Sequence, residues 1–312
     1  MNILLSGATG FVGHEVAAHL ALNRDVCLTC AVRRLSSSEF GREAVVGDLS
    51  AGNNWEEVVR GQQVIIHTAA RAHIMKDEVA DPLAEYREVN VKGTLNLACQ
   101  AAEAGVRRFI FISSIKVNGE QTPKGQPFTA EDVPTPEDAY GISKFEAEQS
   151  LMQLAAKTGM EVVIIRPPLV YGPGVKGNFA SMIRLVEKRL PLPLGAIHNK
   201  RSLVALDNLV DLIITCIDHP AAADQVFLAG DGEDLSTTEL LRGVGKAMGR
   251  PARLIPVSAR LLMTSATMLG KKAMAQRLLG SLQVEISKAQ DLLGWQPPLS
   301  VEEGLRRCFP DH

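Results

Sequence analysis

Three glycines spaced three apart, Gly7, Gly10 and Gly13, follow directly on the apolar run Ile3-Leu4-Leu5 near the amino terminus. Behind them Val12, Val16 and Leu20 recur at i, i+4 and i+8, the stripe of an amphipathic helix. The pattern therefore describes a strand that turns sharply into a helix. Gly7 permits the tight turn, Gly10 lets the backbone approach a ligand, and Gly13 lets the helix pack close to the strand. Such a turn points free N–H groups at the positive end of a helix, where anions bind. The spacing is G-x-x-G-x-x-G rather than G-x-G-x-x-G. Its strand–turn–helix context is the one a pyrophosphate cradle requires, so Gly7-Ala8-Thr9-Gly10-Phe11-Val12-Gly13 is expected to hold a dinucleotide.

A unit of this kind needs a parallel sheet around it, and the next stretch supplies one. Val26 to Val32, Ala44-Val45-Val46, Gln63 to His67, Phe109 to Ile112 and Glu161 to Ile165 read as further strands. Helices are expected over Pro82 to Ala104 and Tyr140 to Lys157. Continuously apolar strands separated by helices imply a sheet buried on both faces, with right-handed crossovers. After Arg166 the rhythm breaks at Pro167-Pro168, Gly172-Pro173-Gly174 and Pro191 to Gly195. The remaining third of the chain holds short helices, one short strand at Gln225 to Leu228, and a Gly294-Trp295-Gln296-Pro297-Pro298 turn before a closing helix. The expected fold is α/β, a Rossmann-type doubly wound parallel sheet with a smaller, interleaved α+β substrate domain. The dinucleotide domain is expected at 1–166 plus 203–229 and the substrate domain at 167–202 plus 230–312. A chain of 312 residues is long enough for both.

Composition narrows the partners. A net charge of −2 offers no basic excess for nucleic acid or an anionic membrane, and 4% aromatic residues leave few stacking platforms. Five cysteines, an odd number, suit reduced thiols rather than a disulfide framework. Cys27 and Cys30 form a CxxC, but within a strand their odd separation puts them on opposite faces, so no metal site is expected. The apolar run Leu206 to Ile217 is interrupted by Asp211 and falls short of the ~20 residues a bilayer requires. The amino terminus shows no basic leader with a cleavage site, so a cytoplasmic location is expected.

Tyr140 and Lys144 stand four apart, on one face of the helix starting there. A nearby ammonium favours the phenolate, so Tyr140 is expected to shuttle a proton at a lowered pKa. Ser114 lies just beyond the Phe109–Ile112 strand, where its hydroxyl can polarise a carbonyl shared with Tyr140. Cofactor selectivity is set at the end of the second strand. An acid there suits NAD, whereas this chain has Arg33-Arg34 and no acid until Glu39. Two cations suit a 2′-phosphate, so NADP(H) is the preferred expectation, with NAD(H) possible.

With these residues in place, the chain resembles the nucleotide-sugar epimerase/dehydratase group of the extended short-chain dehydrogenases/reductases along essentially its whole length. The glycine turn, with Thr9, Phe11 and Val12, matches the family's cofactor turn, and Asp48-Leu49 its adenine-side pair. Ala69-Ala70, Asn90 and Pro167 also match cofactor-side positions, and Ser114, Tyr140 and Lys144 its catalytic triad. The resemblance implies that Lys144 holds the nicotinamide ribose. It also implies that Arg201 holds a substrate diphosphate. The chain departs from the family at Leu169, where many epimerases carry a substrate-contacting Asn, so Asn178 is expected to replace that contact and Lys116 to face the substrate. Trp295-Gln296-Pro297 resembles the family's carboxy-terminal signature. Dehydratases of the family carry Asp-Glu after the catalytic hydroxyl residue; Ile115-Lys116 stands there instead, which argues against dehydration.

The segments Ser113 to Gly119 and Val175 to Phe179 resemble a bacterial surface-polysaccharide subgroup that includes 4-keto reductases. The first expectation is therefore NADP(H)-dependent reduction of the C4 ketone of a UDP-4-keto-6-deoxy-N-acetylhexosamine. The alternative is a UDP-N-acetylhexosamine or UDP-hexose 4-epimerase with tightly bound NAD. A non-catalytic dinucleotide-sensing regulator is more remote, because such proteins commonly lack the Tyr/Lys pair. By analogy with similar proteins, the helices at 82–104 and 140–157 are expected to pair in a homodimer.

Overall fold

The computed structural model describes residues 1–35, 40–71, 81–123 and 125–309; Glu39 falls outside them. β1 (Asn2–Ser6) leads through the glycine turn into α1 (Phe11–Ala21), and β2 (Cys27–Val32) and β3 (Arg42–Val45) follow. Next come α2 (Glu56–Val59), β4 (Val64–His67) and α3 (Pro82–Tyr86). The helix expected to run unbroken to residue 104 changes pitch here. A π-helical stretch, Arg87–Gly93, separates α3 from α4 (Thr94–Glu103). β5 (Arg108–Ile112), a 3₁₀ turn (Ile115–Val117), α5 (Ala139–Thr158) and β6 (Glu161–Arg166) complete the regular part.

Beyond Arg166 the chain forms β7 (Leu169–Tyr171), α6 (Gly177–Glu187), β8 (Arg201–Ala205), α7 (Leu206–Asp218) and β9 (Gln225–Leu228). β10 (Asp234–Leu235), α8 (Thr237–Ala247), α9 (Ala259–Met268), α10 (Lys272–Leu279), α11 (Ser287–Leu293) and α12 (Val301–Arg307) come after it. Among the described residues the main sheet has seven parallel strands in the order β3-β2-β1-β4-β5-β6-β9. This is the doubly wound α/β fold that the strand pattern implied. Its crevice lies between β1 and β4, where the strand order reverses.

Two apolar layers sandwich the sheet. Ile3, Leu5, Val64, Ile66 and Ile110 face α1 and α7, while Leu4, Ile65, Phe109 and Phe111 face α4 and α5. Alternate residues of one strand thus serve opposite layers, as a period of two requires. Each fully buried aliphatic side chain contributes roughly 1.5–3 kcal/mol, so the central strands supply much of the driving force. Arg108, buried at the start of β5, donates to the carbonyls of Cys216, Ile217 and His219 and closes the end of α7.

A second sheet has the order β10-β8-β7 among the described residues, with β7 parallel and β10 antiparallel to β8. Leu203, Val204 and Ala205 therefore lie in this smaller sheet, with Val204 also packed into the apolar layer of α1 and α7. The next element, α7, packs against α1 and the main sheet. A three-residue strand behind Pro167-Pro168 is too short to show a period, so β7 and its demand for a partner were invisible in the sequence. Asp231 ties the second sheet to α7: its carboxylate accepts from Ala205 N, Asn208 Nδ2 and the Tyr171 hydroxyl. Trp295 donates from Nε1 to Asp211 at 2.8 Å, so this signature residue anchors the carboxy-terminal segment on α7. Among the described residues, no helix is long and apolar enough to cross a membrane.

Candidate active site

The glycine turn packs as its spacing requires. Gly7 adopts φ +82°, and a Cβ there would meet Ala69 N and Thr68 Oγ1 at 2.6 Å. A Cβ on Gly13 would lie 2.1 Å from the Gly7 carbonyl oxygen, so α1 touches the turn backbone directly. Gly10 differs: a Cβ there would meet only Gly7 O, at 3.2 Å. It starts α1 with no side-chain cap, leaving first-turn N–H groups at Phe11 and Val12 for an anion. Open space over Gly10 and an uncapped helix end are what a pyrophosphate needs, so these residues fit a dinucleotide.

Residues from β2 and β4 flank that turn. Arg33 and Arg34 are exposed just past β2, and Arg33 reaches the exposed Asp48 at 3.5 Å. Leu49 packs against Gly93, where a Cβ would meet Leu49 Cγ at 2.7 Å. Ala69 and Ala70 are half-buried at the end of β4. Asn90, fully buried in the π-helical stretch, accepts from Arg71 N at 2.8 Å and donates to Arg71 O and Ser143 Oγ. It thus clamps the loop after β4 to α5. π-Helical turns of this sort recur at functional sites, where they redirect one side chain.

Ser114 and Tyr140 come together. Ser114 starts the 3₁₀ turn behind β5, and its side chain hydrogen-bonds the Tyr140 hydroxyl. The Tyr140 ring packs edge-on to Tyr86, with centroids 5.9 Å apart. Lys144 points elsewhere. Its Nζ donates to Ile112 O at 2.7 Å and sits 4.2 Å from the centroid of the Phe111 ring, with 2% of the residue exposed.

The electrostatics therefore differ from the expectation. The Tyr140 phenol is pushed up rather than down, chiefly by burial and then by Asp138 and Tyr86, with the Ser114 hydrogen bond acting the other way. It is Lys144 that comes down, to about 7, because burial disfavours its charge more than Glu148 restores it. Helical spacing put both groups on one face, but the long lysine side chain turns into the end of β5. His67, fully buried between Ser6 Oγ and Thr94 Oγ1, is lowered to about 3 by burial and by Lys144.

A buried ion pair backs this constellation. Glu148, one turn beyond Lys144, accepts from Arg166 Nε at 3.0 Å and Nη2 at 2.5 Å, and from the Ser113 hydroxyl. Arg166 Nη1 also donates to Asn118 Oδ1 at 2.9 Å. α5, β6 and the segment carrying Ser114 are thereby locked together. An acid on an otherwise amphipathic helix reads as solvent-facing, so its sequence carried no sign of this role. Asp138 was likewise missed, although an aspartate just ahead of a helix is a capping signal. It accepts from Gly141 N at 2.7 Å and pairs with Lys116. Lys116 also holds Glu120 at 2.9 Å, so two carboxylates already engage this expected substrate contact.

On the substrate side Pro167 is buried and accepts from Ile115 N at 3.0 Å, while Asn178 is exposed at the start of α6. Arg201 opens β8 and donates through Nη1 to Arg277 O at 3.0 Å and Gly280 O at 3.2 Å. Burial lowers its pKa. Beside this anchor lies a cavity of about 670 Å³ lined by Ile197, Asn199, Arg260, Leu279 and Ser281, among others.

Known proteins resemble the chain along its length. The family described as "NAD dependent epimerase/dehydratase family" matches residues 3–230. A UDP-glucose 4-epimerase of Vibrio cholerae is 52% identical over 307 residues, spanning 98% of this chain and 94% of the relative. UDP-glucuronic acid 4-epimerase from Bacillus cereus, solved with UDP-glucuronic acid and NAD, has a TM-score of 0.80 at 20% identity, covering 99% of this chain and 98% of that one. RMD from Pseudomonas aeruginosa, complexed with NADPH, has a TM-score of 0.76 at 22% identity, covering 100% and 99%. At such identities the two structures speak for the fold alone.

Proposed function

This chain belongs to the NAD dependent epimerase/dehydratase family, and on that premise we propose that it inverts the C4 hydroxyl of a UDP-hexose or UDP-N-acetylhexosamine. The observation that carries this reading is the 52% identity, along 98% of the chain, to a protein named as a UDP-glucose 4-epimerase. It favours the epimerase over the 4-ketoreductase that was the first expectation. A bound NAD supplies the hydride acceptor and donor at the sugar carbon.

The protein's own residues hold the two nucleotides and move the proton. The N–H groups of the Gly7–Gly13 turn hold the cofactor pyrophosphate, and Asp48 and Leu49 its adenosine side; for Lys144 to hold the nicotinamide ribose, its Nζ must turn away from Ile112 O. Tyr140 takes the proton from the sugar O4 and returns it, a role worth ~10²–10⁴ in rate. Ser114, hydrogen-bonded to Tyr140, orients the same oxygen. Arg201 neutralises the substrate diphosphate.

One observation favours the reductase as a second reading. Arg33 and Arg34 project past β2, and the exposed Arg33–Asp48 pair is weak enough to yield Arg33 to a 2′-phosphate. Protein as purified separates the two: one portion is denatured to release and identify any bound nucleotide, and the other, with that nucleotide left in place, is assayed on UDP-glucose and UDP-N-acetylglucosamine without added cofactor. Stoichiometric NAD and interconversion of a UDP-sugar with its C4 epimer support the epimerase. No interconversion, with NADPH-dependent reduction of a UDP-4-keto-6-deoxy-N-acetylhexosamine, overturns it.

A further inference from the structure

The net charge of −2 conceals a local imbalance. From Leu240 to Val284 there is no Asp or Glu, yet the stretch carries eight Arg and Lys residues and no aromatic side chain. Within it α9 and α10 pack on each other and are joined by a short link at Leu269–Lys271. α9 buries none of its residues, and every residue from Thr267 to Met274 is exposed. Leu261 is 60% exposed, Met268 83%, Leu269 71% and Met274 57%. With Ile255 these make five of the twelve exposed large apolar side chains among the described residues, so the exposure is clustered. Arg260, Lys271 and Lys272 form no ion pair with a carboxylate among the described residues.

We propose that the α9–α10 hairpin docks on an anionic phospholipid surface, with Met268 and Leu269 entering the headgroup boundary and Lys271 and Lys272 meeting lipid phosphates. Clustered apolar exposure marks an interaction site. The charge selects the occupant. A second copy would oppose two acid-free cationic faces, which repel. Single-stranded nucleic acid would want aromatic platforms, and the stretch has none. Apolar and cationic side chains side by side at an exposed tip are the composition of an interfacial helix. Helices of ten and eight residues lie on a bilayer and do not span it. The hairpin also borders the substrate side: Arg201 donates to the carbonyls of Arg277 and Gly280, and Arg260 and Leu279 line the neighbouring cavity.

Sedimentation of the full chain with vesicles tests this, using phosphatidylcholine alone or mixed with phosphatidylglycerol. Binding is expected to the mixed vesicles only, and to weaken as salt rises. Lys271→Gln/Lys272→Gln should lower partitioning about 25-fold, about fivefold per lysine. Met268→Ser/Leu269→Ser should also lose binding, with an unchanged circular dichroism spectrum because both side chains are exposed. No binding to mixed vesicles at low salt, or equal binding by the lysine variant, would overturn the assignment. So would a wild-type dimer in sedimentation velocity that Met268→Ser/Leu269→Ser converts to monomer, since the occupant would then be a second copy.

Discussion

Alanine at Gly13 and alanine at Gly10 should fail in different ways, and the contrast tests how the dinucleotide cradle is built. At Gly13 the new methyl would stand 2.1 Å from Gly7 O and 2.6 Å from Thr68 Oγ1. Neither neighbour can yield cheaply. Gly7 O is main chain, and Thr68 Oγ1 is held by its hydrogen bond to Ser6 O at 2.7 Å. α1 must then lift from β1, loosening Val16, Ala17 and Leu20, which are at most 3% exposed. Overpacking of this kind costs about 1–3 kcal/mol, and main chain on one side with a tethered hydroxyl on the other puts Gly13→Ala at the upper end. For 312 residues each kcal/mol moves the melting temperature by about 1.5 °C, so a fall of about 4 °C is expected. Gly10 has φ −82° and ψ 168°, open to any L-residue, and its only close neighbour is at 3.2 Å. Gly10→Ala should therefore change stability by less than about 1 kcal/mol. Its methyl instead occupies the approach to the helix N–H groups and should weaken dinucleotide binding at least tenfold. Thermal melts and fluorescence titrations with NADH and NADPH measure the two effects. A Gly13→Ala variant melting with wild type, or a Gly10→Ala variant binding as wild type does, would refute the reasoning.

The site yields three further expected outcomes. Tyr140→Phe removes the proposed proton carrier at the sugar O4 and should lower turnover by ~10²–10⁴ while leaving cofactor affinity near wild type; near-normal turnover would dismiss Tyr140 from that role. Glu148→Gln leaves the Arg166 guanidinium buried without its anion and should cost about 3–5 kcal/mol in urea unfolding, with Glu148→Gln/Arg166→Met recovering most of it; a loss below about 1 kcal/mol would show the pair to be dispensable. His67 titrates near 6.5 unfolded and at about 3 folded, so the unfolded chain binds more protons in between. Its contribution is complete above pH 6.5 and is lost as pH falls toward 3. His67→Gln should flatten that acid limb of the melting curve, and an unchanged slope would exclude His67 as its source.

Much of this protein was determined locally. Glycine sterics at Gly7, Gly10 and Gly13 and alternating burial in Ile3-Leu4-Leu5 or Phe109-Ile110-Phe111 depend on neighbours a few residues away, so the strand–turn–helix unit and the parallel sheet were legible in order. Ser114 and Tyr140 could be paired because each stands at a predictable end of an element. What the sequence left open depended on distant burial. Spacing placed Lys144 beside Tyr140, but only the tertiary structure turned its ammonium onto Ile112 and Phe111 and raised the tyrosine instead of lowering it. β7 and β8 became strands by pairing with each other, a choice no three-residue run declares alone. Net charge counted every cation equally, yet folding sent Arg108 and Arg166 into the core and left Lys271 and Lys272 at an exposed tip. Periodicity and chain sterics act along the sequence, whereas desolvation and ion pairing act through space, and the chemistry of this site rests on the second pair.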